Sequence, residues 1–171
     1  MPGKLQNEIH QTRPFDLIEE EAMLNVVRTA EVLQRAVADF LKEFDLSAVQ
    51  YNVLRILRGA GTAGATCSQI GERLLTHDPD ITRLLDRMES RGLLERARST
   101  EDRRVVITRI SPSGLALVGK IDRPLTELIR NRLGNFGRDA LAGMITGLER
   151  MREAFGTDKD LELTKDKGEQ K

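Results

Sequence analysis

The sequence predicts a mainly α-helical protein, α+β by a strict count because one short hairpin interrupts the helices. Three observations carry this. Apolar residues recur at three- and four-residue spacing through most of the chain. One stretch, residues 93–110, instead holds two short runs rich in apolar and β-branched residues, joined by a polar loop. Ser/Thr-x-x-Gln boxes and an Asp-Pro pair mark helix starts, and glycines mark stops.

Residues 1–13 are polar, include Pro2 and Gly3, and are expected to form a flexible N-terminal arm. A helix starts around Pro14-Phe15-Asp16, with Asp16 as its cap and Glu19, Glu20 and Glu21 near the positive end of its dipole. It should run to about Phe44. Leu17, Leu24, Val27, Leu33, Val37, Phe40, Leu41 and Phe44 form an apolar face about 28 residues long. A single small lobe cannot cover that length, so part of the face is expected to meet a partner subunit.

Ser47 with Gln50 forms a capping box for the next helix, whose core residues are Val53, Leu54, Ile56 and Leu57. Residues 59–64 read as a flexible, glycine-rich connection. Thr66 with Gln69 forms a second box, opening a short helix that ends near Leu75. Asp78 and Pro79 then supply a cap and a preset first helical residue, and Gly92 supplies the stop. Within that helix, 12 to 13 residues long, Ile81, Leu84, Leu85 and Met88 fall at i, i+3, i+4 and i+7. Thr82, Arg83, Asp86, Arg87 and Arg91 are left on the other face.

LLERAR and RRVVITRI follow as two strand-like runs joined by Ser99-Thr100-Glu101-Asp102. From Ser113 a helix continues through Leu115, Leu117, Val118, Ile121, Leu125, Leu128, Ile129 and Leu133, and Pro124 inside it should kink it. Residues 134–137 break the pattern. The last helix, about 138–155, repeats Leu141, Met144, Ile145, Leu148, Met151 and Phe155 in a narrow seam of the kind that pairs with other helices. Residues 156–171 alternate charges without an apolar face and read as a disordered tail.

Helix, turn, helix and a hairpin with Arg at its tip together suit DNA. A helix of this length fits the major groove of B-DNA, and the hairpin reaches phosphates or the adjacent minor groove. The middle of the chain, 46–112, therefore reads as a winged helix-turn-helix lobe flanked by helical segments 14–45 and 113–155.

Here the residues resemble a known family. Thr82-Arg83, Leu85-Asp86-Arg87-Met88-Glu89 through Gly92-Leu93-Leu94-Glu95-Arg96, Asp102-Arg103-Arg104 and Ser111-Pro112-Ser113-Gly114 are similar, block by block, to the pattern of MarR-family transcriptional regulators. Leu46-Ser47 through Gln50-Tyr51 and Val53-Leu54 resembles that family's second helix. The likeness covers roughly residues 17–155 in helix order, with motif-grade matches in the middle third. It implies N- and C-terminal dimerisation helices, a homodimer, and a repressor-like regulator acting on a palindromic duplex site. It also allows a small aromatic or acidic effector between the dimer helices and the DNA-binding lobes.

Composition bounds the alternatives. With 171 residues, 32% charged and 39% hydrophobic, one globular domain suffices. No run of about 18 apolar residues and no secretory pattern is present, so the chain reads as cytoplasmic and not membrane-bound. Cys67, His10 and His77 do not make a metal constellation, and no cofactor is expected. No nucleophile with a base partner, Gly-rich phosphate loop or catalytic carboxylate pair appears, which argues against an enzyme.

Formal net charge is zero, so charge distribution matters more than the total. Residues 68–110 hold nine Arg and eight acids, and all seven lysines lie outside 43–119. Arg's planar fork suits phosphates and guanine edges, although the same bias follows from genome composition. The near-neutral balance keeps open a winged-helix module that binds another protein.

The candidate DNA-binding residues are Ser68 and Gln69 on the first helix of the pair, and His77 and Asp80 at the start of the second. Thr82, Arg83 and Arg87 lie on its outer face, and Arg98, Asp102, Arg103 and Arg104 in the hairpin. Arg83 is the best match for guanine, against a bland alternative in which Arg87 and Arg91 simply pair with Asp86 and Glu95. Arg104, or Arg103 beside it, is expected in the minor groove, with Asp102 holding an Arg by a charge-assisted bond. Asp78 and Asp80 favour the helix dipole but repel phosphates. They point inward, accept from a cytosine amino group, or weaken binding. Cys67 is expected to be a small buried residue at a helix start, with a redox-sensing role as the alternative.

Overall fold

The computed structural model describes residues 4–76 and 80–156. It divides into two compact units, Met1–Arg123 and Pro124–Lys171. In the first, the chain opens on α1, Lys4–Glu8, with Leu5 and Gln6 buried. Of the arm expected to be flexible over 1–13, residues 4–8 form this helix on a buried leucine, and the Gln6 carboxamide donates to the Gln11 carbonyl at 3.2 Å. The tail expected to be disordered lies, from residue 157 on, outside the described residues.

Helix α2 spans Ile18–Lys42 and is preceded by Leu17, whose side chain makes no capping bond. Asp16 is thus not the cap, and the dipole's positive end is met by Glu19, Glu20 and Glu21 in the first turn. Leu41 is fully buried, whereas Ile18, Met23, Val27, Val32 and Leu33 are exposed. The turn into the next helix passes through Asp45 at φ 52°, an uncommon conformation for a residue with a Cβ. Arg91 holds it there, its Nη2 donating to the Asp45 carbonyl at 2.6 Å and to Oδ2 at 2.8 Å.

Helix α3, Ala48–Ala60, begins with the expected box: Ser47 Oγ accepts from the Gln50 N–H and Gln50 Oε1 from the Ser47 N–H. It sends Tyr51, Val53, Leu54, Ile56 and Leu57 into the core. The connection expected to be flexible contains a 3-10 turn, Gly61–Ala63. Helix α4, Cys67–Gly71, carries the second box and ends earlier than expected. Beyond it the Leu75 N–H donates to Asn52 Oδ1 at 2.9 Å.

Helix α5 is Ile81–Ser90, 10 residues, shorter than expected. Its cap among the described residues is Asp80, whose carboxylate accepts the Arg83 N–H at 3.2 Å; Asp78 and Pro79, expected as cap and first helical residue, lie outside them. The stop at Gly92 holds: φ is +68°, and the N–H groups of Gly92 and Leu93 close onto the carbonyls of Glu89 and Met88.

Strands β1, Leu94–Arg98, and β2, Val106–Ile110, pair antiparallel with Leu94 opposite Ile110 and Arg98 opposite Val106. A third edge is added by Ala65, which exchanges both backbone hydrogen bonds with Thr108 and so joins the entry of α4 to the hairpin. Of the expected stripe of Ile81, Leu84, Leu85 and Met88, the last three are buried with Ile70, Leu94, Val118 and Ile121, and Ile81 is half-buried. This core supports α5 from below.

Helix α6, Pro112–Leu133, runs continuously through Pro124, where the division into units falls. Just before it, Asp122 accepts from the Tyr51 hydroxyl at 3.0 Å and pairs with Arg58, fastening α6 to α3. Burial works against the charge on Asp122. The Arg58 and Tyr51 hydrogen bonds outweigh it and hold the carboxyl below the usual range. A depressed folded-state value contributes stability above about pH 4, the unfolded range, and that contribution is lost as pH falls through the folded value. Asp122→Asn is expected to cost about 1 kcal/mol at pH 7, allowing for solvent screening, and to flatten the loss of stability below pH 4. Denaturant melts across pH would show an unchanged acid limb if the network were inert.

In the second unit, the end of α6 is followed by a 3-10 turn, Gly134–Phe136, and by α7, Arg138–Phe155, with the bounds the periodicity predicts. Met144, Ile145, Leu148 and Phe155 of the expected seam are exposed. No helix among the described residues is long and apolar enough to cross a membrane.

Candidate nucleic-acid interface

The first unit presents two groups of polar side chains beside its core. One is the outer face of α5. Thr82, Arg83, Asp86 and Arg87 are exposed there because the 3.6-residue period places them opposite Leu84, Leu85 and Met88. Arg83 is 81% exposed and its Nε lies 3.1 Å from Asp80 Oδ2. Asp80 is therefore not pointing inward: it caps α5 and holds the guanidinium of the residue three positions on. His77 lies outside the described residues.

On α4, Ser68 is exposed and its Oγ donates to Glu72 Oε1 at 3.3 Å. Gln69 is exposed as well, but its carboxamide oxygen accepts the Thr66 N–H at 2.9 Å, which leaves the NH2 end as its group for a ligand. Cys67, expected to be buried, is exposed, with Sγ 3.9 Å from Thr82 Oγ1. The helix start faces outward, so the apolar reading of that residue is corrected.

The other group is the hairpin tip. The strands stop at Arg98 and Val106, so Arg103 and Arg104, expected at the start of the second strand, lie in the loop. Ser99 Oγ accepts from the N–H groups of Glu101 and Asp102. Asp102 accepts from the backbone N–H of Arg104 at 2.9 Å, so it fixes that arginine's backbone, where a bond to a guanidinium was expected. Arg98 Nη1 donates to the Arg103 carbonyl at 3.4 Å, and Arg98, Ser99, Thr100 and Arg103 line an open polar pocket.

A clamp between the two groups escaped the sequence reading. Arg96 on β1 donates from Nε to Glu89 Oε2 at 2.9 Å and pairs with Asp86, while its backbone N–H donates to Glu89 Oε1 at 3.1 Å. Burial disfavours the Arg96 charge, but both carboxylates outweigh it and raise its pKa. The pairing registers the hairpin on α5. In place of the surface pairs that the bland alternative gave Asp86 and Arg91, Asp86 holds Arg96 and Arg91 holds Asp45. Among the described residues no group of three or more His, Cys, Asp or Glu could hold a metal.

A helix-turn-helix with a basic hairpin registered on its second helix defines the winged-helix class. The sequence profile of the MarR family matches residues 46–106. A MarR transcription factor from Planctomyces limnophilus is 38% identical, with TM-score 0.61 over 79% of this chain and 98% of that one. The transcriptional regulator PecS of Dickeya dadantii is 30% identical over 113 residues, 66% of this chain and 68% of its own length. The chain belongs to the MarR family of DNA-binding transcriptional regulators, which are not enzymes. The S. aureus MepR–DNA complex shares the fold, with 19% identity and TM-score 0.66 over 76% of this chain and 93% of that one.

Proposed function

We propose that the protein is a homodimeric, sequence-specific repressor of its own or neighbouring genes, with α5 in the major groove and the hairpin tip on the flanking backbone or minor groove. The observation that carries this reading is that Arg83 and Arg87 are exposed on α5 while Arg98, Arg103 and Arg104 cluster at a tip registered on it by Arg96. Thr82, Ser68 and Gln69 supply neutral donors and acceptors beside them. The dimer reading rests on exposed Val27, Leu33, Ile145, Leu148 and Phe155 along α2 and α7, apolar surface that a monomer has reason to cover. Two such subunits would read half-sites about one helical turn apart. A small aromatic or acidic effector would act only through a differential affinity for DNA-competent and incompetent arrangements.

Fluorescence anisotropy against duplex from upstream of its own gene, with scrambled duplex and a salt series, tests the reading. Selective binding whose affinity falls linearly with salt on a log scale supports it. Salt-insensitive binding without sequence preference would move the lobe toward a protein-interaction role.

The exposure of Cys67 favours a second reading, in which its thiolate attacks a peroxide, giving a sulfenic acid and displacing water or alcohol, next to Thr82 of α5. Peroxide is then expected to abolish DNA binding by the wild type but not by Cys67→Ser. Equal loss in both proteins removes this reading.

A further inference from the structure

Asp80 is an odd residue to find at the start of a DNA-facing helix, because a carboxylate there repels phosphates. A side chain with no role beyond capping could be Ser, Thr or Asn at no electrostatic cost. Its second contact with the same residue is an ion pair, which needs the charge. One oxygen, Oδ1, accepts the Arg83 N–H at 3.2 Å, and the other, Oδ2, lies 3.1 Å from Arg83 Nε.

Resting on the reading of α5 as the groove-entering helix, we infer that Asp80 is a specificity-determining residue that fixes how Arg83 meets a guanine. A guanidinium has two edges that can give a bidentate pair, Nε with one terminal nitrogen, or the two terminal nitrogens together. With Nε the guanidinium nitrogen paired to Asp80 in this ion pair, the edge best placed for a ligand is Nη1 with Nη2. That edge matches O6 and N7 of guanine in the major groove. A lone Arg on an exposed helix can instead swing to a phosphate or to another base, and it loses several rotors' freedom when it settles. The Asp80 ion pair removes part of that freedom before binding.

In water the exposed pair is weak and screened. Inside a groove from which water is excluded, the same pair strengthens. The carboxylate also penalises any register that brings α5 closer to a phosphate, so it lowers affinity for random duplex while sharpening the choice among sites.

The test is selection from a pool of randomised duplexes with the full chain, followed by affinity measurement on the selected site and its single-base variants. Asp80→Asn keeps an acceptor for the Arg83 N–H and removes the charge that pairs with Nε. The wild type is expected to prefer one G·C pair per half-site by about tenfold or more. Asp80→Asn is expected to reduce that preference to about threefold, to leave the other positions unchanged, and to bind scrambled duplex more tightly. Arg83→Lys should lose the preference at the same pair, and adding Asp80→Asn to it should change that position no further.

Unchanged discrimination at every position in Asp80→Asn, or a loss spread evenly over the site, overturns the inference while leaving DNA binding intact. A wild type that selects no sequence from the pool overturns the proposed function itself, and this inference with it. Helicity by circular dichroism, measured on each variant, separates a lost contact from a frayed α5.

Discussion

Gly114→Ala is expected to lower the free energy of unfolding by about 3 kcal/mol. Gly114 is buried in the first turn of α6. A Cβ there would lie 2.1 Å from the carbonyl oxygen of Leu93 and 3.1 Å from Ile110 Cγ1. The first of these is backbone at the entry to the hairpin and cannot turn away. The neighbourhood is also tightly bonded: Ser111 Oγ donates to the Gly92 carbonyl at 2.6 Å and accepts the Gly114 N–H at 3.0 Å, while the Ser111 N–H reaches Leu93 O at 3.2 Å. Moving the helix to make room would strain those bonds and shift both ends of the hairpin together. Guanidinium denaturation followed by circular dichroism measures the effect, and a loss below about 1 kcal/mol would show that the junction is more yielding than its geometry implies.

The same glycine illustrates what was legible in the chain. Ser111-Pro112-Ser113-Gly114 is visible as a motif, but the reason for the glycine is a contact with Leu93, twenty-one residues earlier, that no local pattern reports. Local chemistry was legible. Ser47 with Gln50 and Thr66 with Gln69 form their boxes as predicted because each box is closed by residues three apart. Leu84, Leu85 and Met88 are buried as predicted because the amphipathic period alone decides which face turns inward.

Long-range charge pairing was not legible. The surface pair with Asp86 or Glu95 that the sequence allowed for Arg91 gives way to Asp45, 46 residues away, in a left-handed turn. Arg96 and Glu89 sit seven apart across a helix stop, a spacing with no standing rule, so the clamp emerged only once β1 folded back on α5. Asp122 with Tyr51 and Arg58 is of the same kind. At the hairpin, β-branched residues from Val105 on suggested a strand beginning at Arg103. Ser99 and Asp102 bend the backbone locally first, and that turn chemistry places Arg103 and Arg104 in the loop.

Replacing Arg83 and Arg104 together with alanine is expected to weaken binding to the selected duplex by about 2 to 6 kcal/mol, with little loss of folding stability. Both side chains are exposed, and neither contributes to the core. The two changes should act differently. Arg104 is held by its backbone bond to Asp102 at a tip whose other arginines, Arg98 and Arg103, line the same pocket, an arrangement suited to phosphates or a narrow minor groove. Arg104→Ala alone should cost about 1 to 3 kcal/mol; if its contact is to a phosphate, the loss is uniform across sequences and the salt slope falls by about one contact. Arg83→Ala should cost a similar amount on the selected site but relax the preference at one base pair, with a smaller change in slope. The sites lie on separate elements, α5 and the hairpin tip, so their costs should add to within about 0.5 kcal/mol. A double variant that binds the selected duplex as tightly as the wild type would remove both arginines from the interface and, with them, the assignment of α5 and the hairpin as the surfaces that read DNA.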